Sequence, residues 1–372
     1  MGARTVLVLP AWYPTARQPL AGPFVRDHAR AAAAMGHRVV VVVDEGARAD
    51  LRGLYKLSEE RDGLLRVVRL TYRPRFGAIA YVPAVLALAR GLRREGHPVD
   101  LIHAHIHWMG WPAMFVAAIL RRPYVITENS SEWPLHTITA GALRRARIAF
   151  RRAALVTPVN ERLQRAIESY GVRAQFRIVP NTVDTHVFHP AALSATRRPT
   201  RLVNVALHVE VKALDVLLRA FAKLAERRPE VALTMIGDGP LTPALEGLAR
   251  ELGIESRVDF VGRAAPSEIA DVLRGSDVFV LSSLSENMPL AVLEALSCGI
   301  PVAASAVGGV PEAVGGDGLL APPRDVEGLT AAIEGVLDDY DRFDRADIAR
   351  RAEERWSLEA VGGVWDTIYR SL

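Results

Sequence analysis

Val278-Phe-Val-Leu-Ser-Ser-Leu-Ser-Glu-Asn-Met-Pro-Leu-Ala-Val-Leu-Glu-Ala-Leu-Ser-Cys-Gly-Ile-Pro-Val302 decides what kind of fold this chain adopts. Val278–Leu281 is an unbroken apolar run with the length of a buried strand. A polar loop, Ser282–Met288, follows, and Pro289–Cys298 then reads as a helix that is apolar on nearly every side. Gly299 ends it, and Pro301–Ala304 is the next apolar run. Strands that are apolar throughout, with helices between them, belong to a parallel sheet covered on both faces.

The alternation continues outward in both directions. Strands are expected at Leu202–Leu207, Val231–Ile236, Val258–Val261 and Gly318–Leu320, with helices at Ala213–Arg228, Thr242–Leu252 and Ser267–Arg274. In the first half, strands are expected at Thr5–Leu9, Val39–Val43, Val99–His103, Tyr124–Thr127 and Leu155–Pro158. Phe24–Met35, Ala78–Arg94, Gly110–Leu120 and Gly141–Phe150 are the helices between them. Ala191–Thr200 has no strong periodicity and reads as a linker. The fold class is therefore α/β, with two Rossmann-like doubly wound domains in series. Neither half opens on G-x-G-x-x-G, which disfavours a dinucleotide dehydrogenase. In such sheets ligands bind beyond the carboxyl ends of the strands, so the chemistry is sought there.

Glu286 stands at the mouth of the helix opened above, and Glu294 eight residues on, about 12 Å of helix rise. A helix N-terminus offers free N–H groups and a positive dipole end, which suits a diphosphate. One carboxylate then reaches hydroxyls on one side of the diphosphate and the other reaches those on the far side, the layout of a sugar–diphosphate–ribose chain. Leu290, Val292, Leu293, Ala295 and Leu296 surround Glu294, so part burial is expected, and a buried carboxylate needs a partner.

Composition bounds the classes. Half the residues are hydrophobic and 24% are charged, enough for sizeable cores and unlike a disordered chain. The longest apolar stretches, such as Trp111–Leu120, fall well short of the roughly twenty residues of a membrane span. The N-terminal apolar run is too short for a signal peptide, and Val6 breaks the myristoylation pattern. Cys298 is the one cysteine, which excludes an intrachain disulfide and makes the cytoplasm the simplest location. Net charge is +4, but residues 1–190 hold 27 Lys and Arg against 14 Asp and Glu, leaving 19 against 28 in the remainder. A basic first half suggests an anionic partner, a substrate or a membrane surface, or only an arginine-decorated solvated face. The helix Gly141–Arg152, with Arg144, Arg145, Arg147, Arg151 and Arg152, poses the same choice locally. Peripheral contact with an anionic membrane at its inner face is compatible with this pattern. Nucleic acid is not an expected partner.

The order of motifs resembles family 4 of the retaining glycosyltransferases, with the glycosyltransferase-B fold. Its E-x7-E corresponds to Glu286 and Glu294, continuing through Ala295 to Gly299, Pro301 and Val302. Gly308-Gly-Val-Pro-Glu312, Ile236-Gly-Asp-Gly-Pro240 and the Val179–Pro190 junction follow the family pattern. So do Trp12-Tyr-Pro14, Gly22-Pro-Phe-Val25 and Gly36-His37, so the likeness spans nearly the whole chain. It implies that Glu294 holds the ribose and Glu286 the transferred sugar. The backbone at Asn287, Met288 and Leu290 would line sugar and diphosphate, near Gly237. It implies that Lys212, one of three lysines among 46 basic residues, faces the diphosphate. The family's usual Gly-Arg-Leu before that lysine is Ala206-Leu207-His208 here, leaving His208 or Arg263 as substitutes for the arginine. Gly22 would let the first helix approach the donor closely, although a plain turn glycine is the alternative.

On the acceptor side lies Asp100-Leu-Ile-His-Ala-His-Ile-His-Trp-Met-Gly110. Three alternating histidines could converge on zinc, but no paired Cys or acidic ligand is near, so a metal is disfavoured. The resemblance places His105 on the loop facing the sugar and His103 packed at the strand end. Thr127-Glu-Asn-Ser-Ser131 carries Glu128 and Asn129 where the family has T-E-H-S-S, and Asn129 cannot titrate. Residues 1–188 form the expected acceptor-side domain and 189–356 the donor domain, with a helix at 357–372 packing back on the first and a cleft between the two. The implied activity is metal-independent, cofactor-free retaining transfer from a UDP- or GDP-type sugar to a sugar, lipid-linked or small-molecule hydroxyl. A sugar-nucleotide epimerase or phosphorylase would lack E-x7-E or need a cofactor lysine. A non-catalytic nucleotide-sugar-binding subunit with a decayed clamp at Leu207 is the remaining alternative.

Overall fold

The computed structural model describes residues 2–15, 21–49, 51, 53–74, 77–191 and 200–372, with 77 and 78 described for the backbone only. All but the two end residues of the expected linker Ala191–Thr200 fall outside the described residues. The chain divides into two compact units, Met1–Thr182 with Leu358–Leu372, and Val183–Ser357. The division comes six residues before the expected 188/189 boundary. The Val183 N–H donates to the Trp356 carbonyl at 2.8 Å, Val183 bridges Ser357, and the Arg274 guanidinium donates to the Val187 carbonyl. These bonds tie the junction to the second unit.

The first unit is built on β1 (Thr5–Pro10), β2 (Arg38–Ala47), β3 (Tyr55–Asp62), β4 (Leu65–Tyr72), β5 (Leu101–His105), β6 (Tyr124–Glu128) and β7 (Leu155–Pro158), in the order β3-β4-β2-β1-β5-β6-β7. Its helices are α1 (Pro23–Ala34), α2 (Gly77–Arg94), α3 (His107–Leu120), α4 (Ala140–Arg152) and α5 (Glu161–Ser169). Every pairing is parallel except β3 with β4, which form a hairpin at the sheet edge. That hairpin is absent from the sequence reading. Tyr55-Lys-Leu-Ser-Glu-Glu-Arg-Asp62 carries exposed charges and no apolar run, as an edge strand protected from further pairing should.

β5 begins two residues later than expected and includes His105. The strand is central, pairing Pro10 with His105 on one side and His105 with Thr127 on the other, so pairing carries it past His103. Side chains alternate across this sheet. Val6, Val8, Val39, Val41 and Val43 form one core cluster with Val361, Trp365, Ile368 and Tyr369 of a last helix, which the second unit returns to the first. Close approach there rests on Gly362, where a Cβ would lie 2.6 Å from the Ala31 carbonyl of α1. Each large side chain so buried contributes about 1.5–3 kcal/mol.

The second unit has β8 (Arg201–Val205), β9 (Ala232–Ile236), β10 (Val258–Gly262), β11 (Val278–Leu281), β12 (Val302–Ser305) and β13 (Gly318–Ala321), all parallel, in the order β10-β9-β8-β11-β12-β13. α6 (Leu214–Arg227), α7 (Thr242–Glu251), α8 (Pro266–Arg274), α9 (Leu290–Ser297), α10 (Val310–Val314), α11 (Val326–Asp338) and α12 (Arg345–Trp356) connect and cover them, and α13 (Leu358–Ser371) is the returning helix. Each unit is thus a Rossmann-like α/β sheet. The order reverses at β8 and β11, and at such a switch point the loops after the two strands open a crevice.

Candidate functional site

Both strands at that switch point end in residues singled out above. β8 stops at Val205, and the chain runs through Ala206-Leu207-His208 into a 3-10 turn, Glu210–Lys212, before α6. β11 ends at Leu281 and its loop leads to α9, whose first helical residue is Leu290. The two loops are stitched together. The Leu284 N–H donates to the Val211 carbonyl at 2.8 Å, and the Ser282 hydroxyl donates to the Lys212 carbonyl at 2.9 Å. Lys212 Nζ then meets Glu286 Oε1 at 2.5 Å, and the Ser283 hydroxyl donates to the same oxygen at 2.7 Å. The two residues are 74 positions apart, and both side chains are largely shielded from solvent. The ammonium and the carboxylate therefore form one charged unit at the mouth of α9.

Gly308 fixes where that unit stands. A Cβ there would lie 1.3 Å from the Glu286 carbonyl oxygen, and its φ of 53° is a left-handed conformation. The next residue, Gly309, donates its N–H to the Asn287 carbonyl at 2.8 Å. The loop after β12 thus lies directly on Glu286 and Asn287 and holds the entry to α9. Asn287 and Glu294 are half-buried and Met288 is buried. Gly237 has an analogous packing role, since a Cβ would stand 1.9 Å from the Ala206 carbonyl. The sequence reading missed Ser283, and it noted Gly308 only as part of a motif. Serines close before a candidate glutamate at a loop mouth were the available signal.

The two expected substitutes for the absent arginine have other partners in the structure. His208 is fully buried, its Nδ1 lies 2.8 Å from the Thr242 hydroxyl, and burial pushes its pKa down. Arg263 pairs with Asp238 at 2.6 Å, and Leu207 is exposed. Lys212 is the cation that the structure places beside Glu286.

The carboxyl ends of the first unit's strands have a different character. Glu128, at the end of β6, is fully buried. It accepts the His107 N–H at 2.9 Å, the Asn129 N–H at 3.0 Å and the Ser130 N–H at 2.8 Å, and it lies 3.1 Å from His107 Nδ1. Its oxygens fasten the loop to the start of α3. Asn129 donates its side-chain amide to Asn181 at 3.2 Å. His103 Nδ1 lies 2.7 Å from the Tyr369 hydroxyl and His103 Nε2 lies 2.7 Å from the Thr127 hydroxyl. His105 is the correction: it is not a loop residue but the last residue of β5, fully buried and stacked on His103 at 4.3 Å. Neither of its ring nitrogens has a hydrogen-bond partner among the described residues. Burial holds His103 and His105 well below the usual histidine range, and His28, 5.8 Å from His105, is pushed down to about 4. All three are neutral near pH 7. Gly22 caps α1 with a φ of 63°, and a Cβ there would lie 2.4 Å from the Trp12 carbonyl. Among the described residues no group of three His, Cys, Asp or Glu side chains could hold a metal ion.

A charged pair at the switch point of one Rossmann-like unit, preceded by a second Rossmann-like unit with a neutral, histidine-lined strand end, describes a transferase of the glycosyltransferase-B type. The comparisons agree. Residues 21–187 match the family described as Glycosyltransferase Family 4, and residues 199–339 match Glycosyl transferases group 1. The D-inositol 3-phosphate glycosyltransferase of Corynebacterium glutamicum strain R is 30% identical over 309 residues, 74% of each chain. The glycogen synthase of Mycobacterium tuberculosis is 29% identical over 371 residues, 93% of this chain and 88% of the relative. Among solved structures, sucrose-phosphate synthase from Thermosynechococcus elongatus superposes with a TM-score of 0.77 at 23% identity over 99% of both chains. Anabaena HepE in complex with UDP-glucose superposes at 0.76 with 20% identity, over 99% of this chain and 100% of that one. The chain belongs to family 4 of the glycosyltransferases, enzymes that draw a sugar from a nucleotide-sugar donor. No helix among the described residues is long and apolar enough to cross a membrane.

Proposed function

We propose that the protein is a retaining, metal-independent and cofactor-free hexosyl transferase, active in the cytoplasm. It moves a sugar from a UDP- or GDP-type donor to the hydroxyl of a sugar, lipid-linked or small-molecule acceptor. The observation that carries this reading is the Lys212–Glu286 pair, packed against Gly308 at the mouth of α9. A leaving nucleoside diphosphate gains negative charge as the glycosidic bond breaks, and a fixed ammonium stabilises that charge where a divalent ion would otherwise serve. Glu286 accepts from Lys212 and Ser283 and would accept from a sugar hydroxyl in the same way. Glu294, one turn into α9, is suited to the ribose hydroxyls, and the N-terminus of α9 to the diphosphate. In a front-face route the leaving phosphate oxygen takes the acceptor's proton. That route needs no carboxylate nucleophile, and Glu128, the buried carboxylate at the first unit's strand ends, is occupied by backbone N–H groups. UDP-type donors are supported by the UDP-glucose complex of HepE, and a polyol acceptor by the name of the Corynebacterium relatives. Polysaccharide, glycolipid and small-glycoside synthesis all fit this chemistry.

The test is direct. Purified protein is incubated with UDP- and GDP-sugars, with and without chelator, and donor consumption and product anomer are followed. Turnover with retention in chelator supports the proposal, and inversion or a strict metal requirement sinks it. One observation favours a second reading, a nucleotide-sugar-binding subunit without turnover: exposed Leu207 stands where the resemblance leads to an arginine. Donor binding with no slow hydrolysis would establish that alternative.

A further inference from the structure

The first sheet has a switch point of its own. Its order β3-β4-β2-β1-β5-β6-β7 reverses at β1 and β5, where a parallel sheet opens a crevice for ligands. The buried His103 and His105 occupy the end of β5. On the other side, a cavity of about 390 Å³ opens at the carboxyl ends of β1, β2 and β4, within the roughly 300–1,000 Å³ of small-molecule sites. Its walls include Trp12 and Tyr13 after β1, Asp44 and Glu45 in the last part of β2, and Tyr72 at the end of β4.

Two devices shape these walls. In a regular strand Asp44 and Glu45 would point to opposite faces. The pairing of β2 with β4 shifts between Asp44 and Gly46, a bulge at Glu45 with Gly46 at a φ of 85°, and both acidic residues border the same cavity. Trp12 is fixed from two directions. A Cβ on Gly22 would lie 2.9 Å from the Trp12 Cβ, and Trp108, at the start of α3, meets the Trp12 ring edge-on at a centroid distance of 5.2 Å.

The two carboxylates differ in what they have left to offer. Glu45 pairs with Arg69, which also pairs with Glu60. Asp44 is exposed and makes no ion pair among the described residues. One of its oxygens accepts the Gly46 N–H at 2.8 Å, and the other accepts the Tyr72 hydroxyl at 3.3 Å. A carboxylate has about four acceptor sites, so this one is held in place and keeps capacity for further donors. No lysine, arginine or histidine lines the cavity among the described residues. An indole beside a fixed carboxylate of this kind suits a sugar ring. The C–H face of the ring packs on the indole, and its hydroxyls donate to the carboxylate. A phosphate would bring only acceptors and like charge, with no lining cation to offset it.

We propose that this cavity receives the acceptor and selects an uncharged sugar ring, packed on Trp12 and held through its hydroxyls by Asp44, over a phosphorylated one. The assignment as an acceptor site rests on the transfer reading above, whereas the sugar binding is measured without any donor. Glucose, galactose, mannose and N-acetylglucosamine, and the 6-phosphate of each, are titrated into the full chain, by calorimetry and by tryptophan emission. At least one free sugar should bind, and its phosphate ester should bind at least about tenfold more weakly. Trp12→Ala should weaken that sugar about tenfold, and Trp12→Phe, which keeps a ring, should recover most of the loss. Asp44→Asn should also weaken it about tenfold and bring the sugar and its phosphate ester closer together. Phe115→Ala, at an exposed aromatic outside the cavity, is the control and should bind as the parent does. Parental melting temperature and nucleoside diphosphate affinity identify the folded variants, and the exposed Asp44→Asn carries the test if Trp12→Ala does not fold. No free sugar bound, phosphate esters bound as tightly, or parental sugar affinity in Asp44→Asn or in folded Trp12→Ala would overturn the proposal. Sugar binding without transfer would leave the site standing and defeat only the transferase reading. Transfer with no free-sugar binding would do the reverse.

Discussion

The two units are built on the same plan yet finish their strands in opposite ways. At the carboxyl edge of the second sheet a full charge pair, Lys212–Glu286, stands at a helix mouth with Ser283 on the same oxygen. At the carboxyl edge of the first, Glu128 is consumed by backbone N–H groups, and His28, His103 and His105 are buried and neutral. A charged pair that keeps some access to solvent can exchange its partners for a ligand's groups. A buried neutral cluster instead gives shape and hydrogen-bonding direction at low charge. Under the proposed function, charge handling would fall to the second unit and packing-defined positioning to the first.

The comparison breaks most visibly at Lys212. Lys212→Ala should lower transfer by about 10²–10³ while weakening diphosphate binding less, since leaving-group charge grows in the transition state. Equal losses in calorimetric affinity and in rate would mean that the lysine binds ground and transition states alike. Gly308→Ala comes next. With a Cβ 1.3 Å from the Glu286 carbonyl, the loop must move, costing roughly 3 kcal/mol of stability and displacing Glu286. Thermal unfolding and donor affinity should both fall, and a variant of parental affinity would show that the loop contact does not place the glutamate.

In the first unit, His103→Ala removes two hydrogen bonds and strands the Tyr369 hydroxyl, at about 1–3 kcal/mol per group left unpaired. His105→Ala breaks no hydrogen bond that the structure contains and should act chiefly on transfer, leaving diphosphate affinity intact. Melting temperature, affinity and rate measured on both variants decide the matter. If His105→Ala only melts earlier, at unchanged rate, the residue is packing alone.

Acid should also distinguish the units. Burial lowers the pKa of His28, His103 and His105 in the folded state, so the unfolded state binds their protons first. Their contribution is complete above about pH 6.5 and is lost as pH falls; for His28, whose folded pKa lies near 4, the loss is about 1.4 kcal/mol per pH unit between those values. The second unit has one such histidine, His208. Hydrogen exchange at decreasing pH should therefore show the first unit opening before the second, and simultaneous opening would remove the distinction. The smallest effect is expected at Glu294. Glu294→Gln keeps the shape and loses the charge, and nucleoside diphosphate affinity should drop about tenfold. Unchanged affinity would take the ribose away from this residue.

Local patterns in the chain were sufficient for much of this. Eleven apolar runs place strands that the structure keeps within a few residues, because periodicity depends on neighbours a few positions away. Helix geometry covers only part of the Glu286–Glu294 spacing, since α9 begins at Leu290 and Glu286 stands in the loop before it. What lacked a local signal was not legible. β3 is charged and exposed, and β5 extends through His105 because β1 and β6 pair with it there. Whether a polar residue is spent or available was decided only by the tertiary structure. Glu128 looked like a site carboxylate until three backbone N–H groups met it, and Lys212 meets Glu286 across 74 residues, while His103 meets Tyr369 across 266. Periodicity carries the burial of a segment along the chain. The order in which parallel strands assemble brings distant loop ends together, and no short-range pattern records that order.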